Sequence, residues 1–154
     1  MTVRFITNKT EKKNISSMIL HSLPAWFGIP SATASYIEQS AEMPFISAFD
    51  GNNATGFLAI KETSPNAAEV YVMGVLPQYH RKGIGKALMD SCKAYCKDKG
   101  CALLHVKTLD SSHPDESYEK TRLFYTAMGF LPLETMKELW GEDNPCLVMV
   151  KPLN

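Results

Sequence analysis

Apolar and polar positions alternate over "TVRFI" at the start of the chain, and this period of two predicts a β-strand. The period then changes. Across "NKTEKKNISSMILHSL", Ile15, Met18, Ile19 and Leu23 recur at helical spacing, and Pro24 predicts the stop. "AWFGIP" reads as an aromatic loop carrying a breaker, and "SATASYIEQSAE" as a second, short helix with Ser31 at its N-cap. Two strand patterns, "MPFISAF" and "ATGFLAIKE", flank "DGNN", a hairpin turn. "AAEVYVMGVL" is the strongest strand pattern in the chain.

Helical periodicity returns from Gly83 to Lys99. Ile84, Leu88, Cys92 and Tyr95 share one face, with Lys86, Asp90, Lys93 and Lys97 largely elsewhere. Gly100 predicts the helix end, preceded by Lys97 and Lys99 near the negative pole of the helix dipole. "CALLHVKTL" predicts a strand, "DSSHPDES" a loop, "YEKTRLFYTAMGF" a helix stopped by Gly129, and "NPCLVMVKPL" a final strand. The element order is therefore β-α-α-β-β-β-α-β-α-β-β. Short turns join the early strands and helices separate the later ones, which predicts a mixed α/β sheet with helices on both faces.

The 154 residues fit one domain spanning positions 1–154, without repeats or low-complexity segments. Sixteen Lys and Arg balance sixteen Asp and Glu, so the broad basic excess expected of a nucleic-acid binder is missing. Cys92, Cys96, Cys101 and Cys146 form no C-x-x-C pair, which argues against a zinc knuckle. The opening "MTVRFITNKTEKK" turns polar almost at once, and no apolar run approaches the roughly 18 residues needed to span a membrane. The expectation is a cytoplasmic protein with no membrane partner and no nucleic-acid partner.

"HRKGIGKAL" carries the candidate chemistry. A strand, a glycine turn and a helix in succession leave free N–H groups pointing at whatever sits before the helix, where the dipole favours an anion. A P-loop would need a hydroxyl after Gly85-Lys86, where Ala87 stands, and a glycine where His80 stands. A dinucleotide fingerprint would need a third small residue where Leu88 stands.

"VLPQYHRKGIGKAL" instead resembles the signature of the GNAT superfamily of acyl-CoA N-acyltransferases, with His80 where Gln or Arg is usual. "TRLFYTAMGF" is similar to the family's later segment, at Phe124, Tyr125, Gly129 and Phe130; Tyr118 stands where asparagine is usual. "LPAWFGIP", "YVMGVLP", "VKTL" and "LWGEDNPCLVMVKPL" resemble a group of small bacterial-type members with undefined acceptors. The resemblance implies a mostly antiparallel mixed sheet of about seven strands with splayed central strands. It implies acetyl-CoA as co-substrate, no metal, and a small-molecule or peptide amine as acceptor, in a monomer or homodimer.

Residue by residue, the resemblance implies that Arg81, Lys82, Gly83, Ile84, Gly85 and Lys86 hold the pyrophosphate of coenzyme A. Met73, Gly74 and Val75 line its pantetheine arm, and a glycine within a strand fits a bulge or a close approach. Tyr118 implies a rearranged cofactor contact. Tyr125 is the implied general acid, since phenol and thiol have comparable pKa values of roughly 10 and 8.5. Glu69 is the implied general base. His113, a loop histidine, is a rival base, histidine being the side chain type used most often for proton transfer near neutral pH. Trp26 and Phe27 lie where the family walls its acceptor site, and His105 reads as structural. The chain is thus expected to be an N-acetyltransferase acting in a ternary complex. The alternatives are a catalytically silent acyl-CoA sensor or regulatory module, and a protein N-acetyltransferase.

Overall fold

The computed structural model describes residues 1–153. Its elements are β1 (Thr2–Ile6), α1 (Lys9–His21), α2 (Pro30–Ser40), β2 (Phe45–Asp50), β3 (Asn53–Ser64), β4 (Ala67–Val75), α3 (Ile84–Asp98), β5 (Leu103–Leu109), α4 (Glu116–Ala127), β6 (Leu131–Met136) and β7 (Cys146–Pro152). The order matches the string read from the sequence, although the sequence reading named a pattern for only one of the last two strands, β7, and none for β6; the fold class is the expected one. Seven strands form one sheet in the order β1-β2-β3-β4-β5-β7-β6. Every neighbouring pair is antiparallel except β4 and β5.

The helices cover both faces because each strand buries alternate residues on opposite sides. On one face Ile15, Ile19 and Leu20 of α1 pack with Phe45, Phe57 and Val72 of the sheet. Phe45 and Phe57 stack at 5.1 Å between ring centres. On the other face Leu88, Met89 and Cys92 of α3 and Tyr125 of α4 pack with Ile46, Leu58, Val70, Leu104 and Met149.

Local chemistry sets the helix ends. The Asn8 side chain accepts from the backbone N–H of Glu11 at 2.9 Å. The Asp115 side chain accepts from Ser117 and Tyr118 N–H at 2.9 and 3.2 Å. Each such cap is worth about 1 kcal/mol. Two expectations need correction. Ser31 does not cap α2: Ile29 is the N-cap and Pro30 the first helical residue. Proline has no N–H to lose there, and its fixed φ suits the first turn. Nor does Pro24 end α1, which closes at Ser22, whose N–H bonds to Ile19 and Leu20 carbonyls.

Strand β4 shows where its irregularity falls. Val72 pairs with Ala59 and Val70 with Ile60, so the extra residue of the bulge is Tyr71. Gly74 pairs regularly with Phe57 and serves a close approach instead. A Cβ added there would meet Leu23 Cδ1 at 2.9 Å and Ile19 Cγ2 at 3.1 Å. Gly74→Ala is therefore expected to lower unfolding free energy by about 1–3 kcal/mol through overpacking. Urea unfolding measures this; an unmoved midpoint contradicts the packing account.

Candidate active site

The site begins where the sheet divides. β4 and β5 pair only at Ala67–Leu103, Ala68–Leu104 and Glu69–His105. Past these pairs β4 stays bonded to β3, and β5 to β7. A cleft therefore opens along Val70–Val75, where β4 has no strand ladder on its β5 side. Met73, Gly74 and Val75 lie on this stretch.

The cleft leads into the glycine turn. Gly83, the N-cap of α3, has φ +78°, and Arg81 has φ +62°, the one positive φ at a non-glycine among the described residues. Holding Arg81 in the left-handed region costs about 1–2 kcal/mol. Such strain is common where backbone groups are aimed at a ligand. A Cβ on Gly83 would meet nothing within 4 Å, so the space before the helix is open. The two glycines differ: a Cβ on Gly85 would meet the Phe124 ring at 3.0 Å, so Gly85 lets α4 approach. Of the cations, Lys86 bonds to Asp90 at 2.8 Å and Lys82 lies 5.5 Å from the Tyr79 ring centre. Tyr79 donates to Asp50 at 2.9 Å and ties the turn to the β2–β3 hairpin.

Tyr125 is fixed by the end of its own helix. Gly129, at φ +95°, lets Phe130 N–H bond to Tyr125 O and Gly129 N–H bond to Thr126 O, both at 3.0 Å. This is the Schellman pattern, which brings the third-last helical residue against the second residue beyond the cap. Those residues are Tyr125 and Phe130, whose rings meet edge to face at 5.6 Å. Burial raises the Tyr125 hydroxyl well above the usual phenol range, and Tyr118 and Tyr36 nearby add to the shift. Its oxygen has no hydrogen-bond partner among the described residues, and it is not one of the side-chain oxygens sealed from solvent without one. The phenol is held neutral, but the raised pKa makes it a weaker acid than a free phenol, so the near-match with a thiol expected from ordinary values does not hold in the fold.

Glu69, 4% exposed, takes Lys107 Nζ on its Oε2 at 2.9 Å. Its Oε1 has no protein partner and is not sealed from solvent, so one carboxylate oxygen is open to an incoming group. Phe27, Tyr36 and Tyr71 form an edge-to-face chain nearby, with centroids at 5.8 and 5.4 Å. Tyr36 is raised by burial, then by Tyr71 and Glu69. His105 binds Thr63 Oγ1 at 2.9 Å, and burial lowers its pKa, in keeping with a structural role.

Trp26 lies apart from Phe27, donating to Ser117 O and Thr121 Oγ1 of α4 at 3.1 and 3.0 Å. Tyr118 donates to Trp26 O at 2.7 Å, and burial pushes its phenol up to about 12. His113 sits in the β5–α4 turn with its Nδ1 buried and unpartnered. The structure thus brings Glu69 together with Tyr36 and Tyr71, and Tyr118 with Tyr125 and Trp26. Lys107 and the two tyrosines escaped the sequence reading. A lysine within the strand pattern "HVKTL" was the available signal for Lys107.

Two surface hollows lie elsewhere. One of about 210 Å³ is lined by Thr2, Arg4, Glu11, Phe49, Gly51 and Asn52. Another of about 570 Å³ runs over Thr135–Leu139. Neither is lined by residues of β4 or of the glycine turn. Among the described residues no three His, Cys, Asp or Glu side chains gather to hold a metal. No helix among them is long and apolar enough to cross a membrane.

Residues 13–130 match the model of the acetyltransferase (GNAT) family. The Bacillus subtilis (strain 168) protein named uncharacterized N-acetyltransferase YsnE is 28% identical over 112 residues, covering 73% of this chain and 71% of that one. A GNAT-family protein from Desulfovibrio desulfuricans superposes with a TM-score of 0.85 at 17% identity, covering 99% of each chain. An aminoglycoside 6'-N-acetyltransferase complexed with coenzyme A superposes with a TM-score of 0.76 at 16% identity, over 100% of this chain and 98% of that one.

The buried phenols set an alkaline limit. Tyr118 and Tyr125 have folded pKa values above the ordinary value of about 10. Their stabilisation is complete below about pH 10 and is lost as pH rises through the folded values. Unfolding free energy should fall above about pH 10, and Tyr125→Phe should flatten that slope. Denaturation across pH 8–12 (roughly the phenol range) checks it; an identical slope in the variant contradicts the assignment.

Proposed function

Because the chain belongs to the GNAT acetyltransferase family, we propose that it transfers an acetyl group from acetyl-CoA to the primary amine of a small molecule or peptide. The observation that carries this reading is the strained glycine turn, with its open space before α3, at the mouth of the β4–β5 cleft. The residues fit coenzyme A. Backbone N–H groups over Arg81–Lys86, with the helix dipole behind them, hold the pyrophosphate. The side of Met73–Val75 that meets no strand bonds the pantetheine arm through groups other than Val75 O, which already has His80 Nε2 at 2.7 Å.

Bound acetyl-CoA supplies a thioester carbon open to attack. Glu69 Oε1 takes a proton from the acceptor ammonium, directly or through water, and leaves a neutral nucleophile. Lys107 keeps the other oxygen of that carboxylate in place. As the new N–C bond forms and the C–S bond breaks, the Tyr125 hydroxyl gives its proton to the departing sulfur, and the excess proton on the acylated nitrogen returns to the phenolate, directly or through water, so that coenzyme A leaves as the thiol. Most of the acceleration comes from holding the reactants together. The Phe27–Tyr36–Tyr71 wall and the open carboxylate oxygen suit a cationic amine, since aromatic faces attract ammonium groups.

At a concentration near 100 times Kd, acetyl-CoA should stabilise the fold by about 2.7 kcal/mol, a shift of several degrees in Tm. Gly83→Glu should abolish the shift by setting a carboxylate where the anion goes. No shift with the natural sequence at millimolar acetyl-CoA contradicts the assignment. In a thiol-release assay over a panel of amines, Tyr125→Phe should lower turnover by about 100-fold. Acetyl-CoA affinity should stay within about threefold. An unchanged rate removes the acid role from Tyr125, and a panel with no active amine favours a silent sensor.

A further inference from the structure

The two positions at which the chain departs from the family's signatures, His80 and Tyr118, touch the same residue. The His80 ring meets the Trp26 indole edge to face, with centroids 5.9 Å apart. The Tyr118 hydroxyl donates to Trp26 O at 2.7 Å. Each partner is itself anchored. His80 Nε2 lies 2.7 Å from Val75 O, at the end of the cleft strand. Tyr118 is half-buried in the first turn of α4, and its N–H is held by the Asp115 cap. The indole N–H completes the link by donating to Ser117 O and Thr121 Oγ1.

Trp26 therefore touches both arms of the cleft. One arm is β4 with the glycine turn, reached through His80. The other is α4, which carries Tyr125 two turns beyond Tyr118. Nothing in the strand ladder fixes the distance between these arms, because β4 and β5 part after Glu69 and His105. An aromatic residue held by three hydrogen bonds on one side and a ring contact on the other can fix it.

We propose that Trp26 is a positioning residue: a cross-brace that sets the width of the cleft and aligns Tyr125 with the glycine turn. Its kinetic consequence rests on the acetyl-transfer reading above. In that reading the brace acts on turnover more than on cofactor affinity, because the pyrophosphate contacts come from the turn's own backbone. The residue changes at positions 80 and 118 then belong together, since each supplies one side of the brace.

The test is native-state hydrogen exchange on the full chain without ligand, comparing the natural sequence with Trp26→Phe and Tyr118→Phe. Trp26→Phe keeps a ring beside His80 and removes the two indole N–H contacts to α4, while the Tyr118 bond to the backbone carbonyl at position 26 remains; Tyr118→Phe removes that third bond. Tyr79, His80 and Ala87 have protected amides in the turn, bonded to Leu76, Pro77 and Gly83 carbonyls. A brace transmits the loss, so these amides should exchange at least about fivefold faster in both variants, although the deleted bonds lie on α4. Faster exchange confined to residues 116–121, or none, overturns the proposal. In the thiol-release assay, Trp26→Phe should lower kcat about tenfold and leave the KM for acetyl-CoA within about threefold. Equal loss in both, or no change, also overturns it. If the natural sequence fails to bind acetyl-CoA, the transferase reading falls, and the exchange result still decides whether the brace exists.

Discussion

Three residue pairs, Ala67–Leu103, Ala68–Leu104 and Glu69–His105, join the two halves of the sheet in the only parallel contact among the described residues. β4 is committed to β3 on its other side, and β5 to β7, so each half keeps its own direction beyond those pairs. The result is a cleft in which β4 has no strand partner along one wall. The glycine turn follows from the end of β4, and α3 begins where the cleft opens. Glu69 sits at the point of division, on the last shared pair.

The cleft imposes two costs that the surrounding structure carries. Arg81 is held in a backbone region disfavoured for residues with a Cβ. Glu69 is buried in a sheet and depends on Lys107, since an unpaired buried carboxylate would be strongly destabilising. Neither helps the chain fold. Both sit beside the cleft, where preorganised polar groups serve chemistry more than stability.

Much of this was legible in the sequence because the hydrophobic period changes cleanly between strands and helices. The glycine turn and the tyrosine segment were readable as motifs, and Gly129 as a helix stop. What escaped depends on contacts between distant residues or on local exceptions. Pro30 looked like a breaker, but a first helical position needs no N–H, and Ser31 was displaced as cap. The bulge fell on Tyr71, while Gly74 made room for Leu23 and Ile19. That Gly129 also presses Phe130 against Tyr125 required the folded backbone. Above all, Trp26 meets Tyr118 and His80 only because α1–α2, the turn and α4 converge at the cleft mouth, and no local spacing encodes that meeting.

Amide chemical-shift mapping with ¹⁵N-labelled protein tests the central claim most directly. On titration with acetyl-CoA, the largest shifts should fall on Met73–Val75 and Arg81–Ala87, the wall of the cleft and the turn that closes it. Saturable shifts that spare both segments and gather at another surface, or no shifts at millimolar acetyl-CoA, would contradict the account.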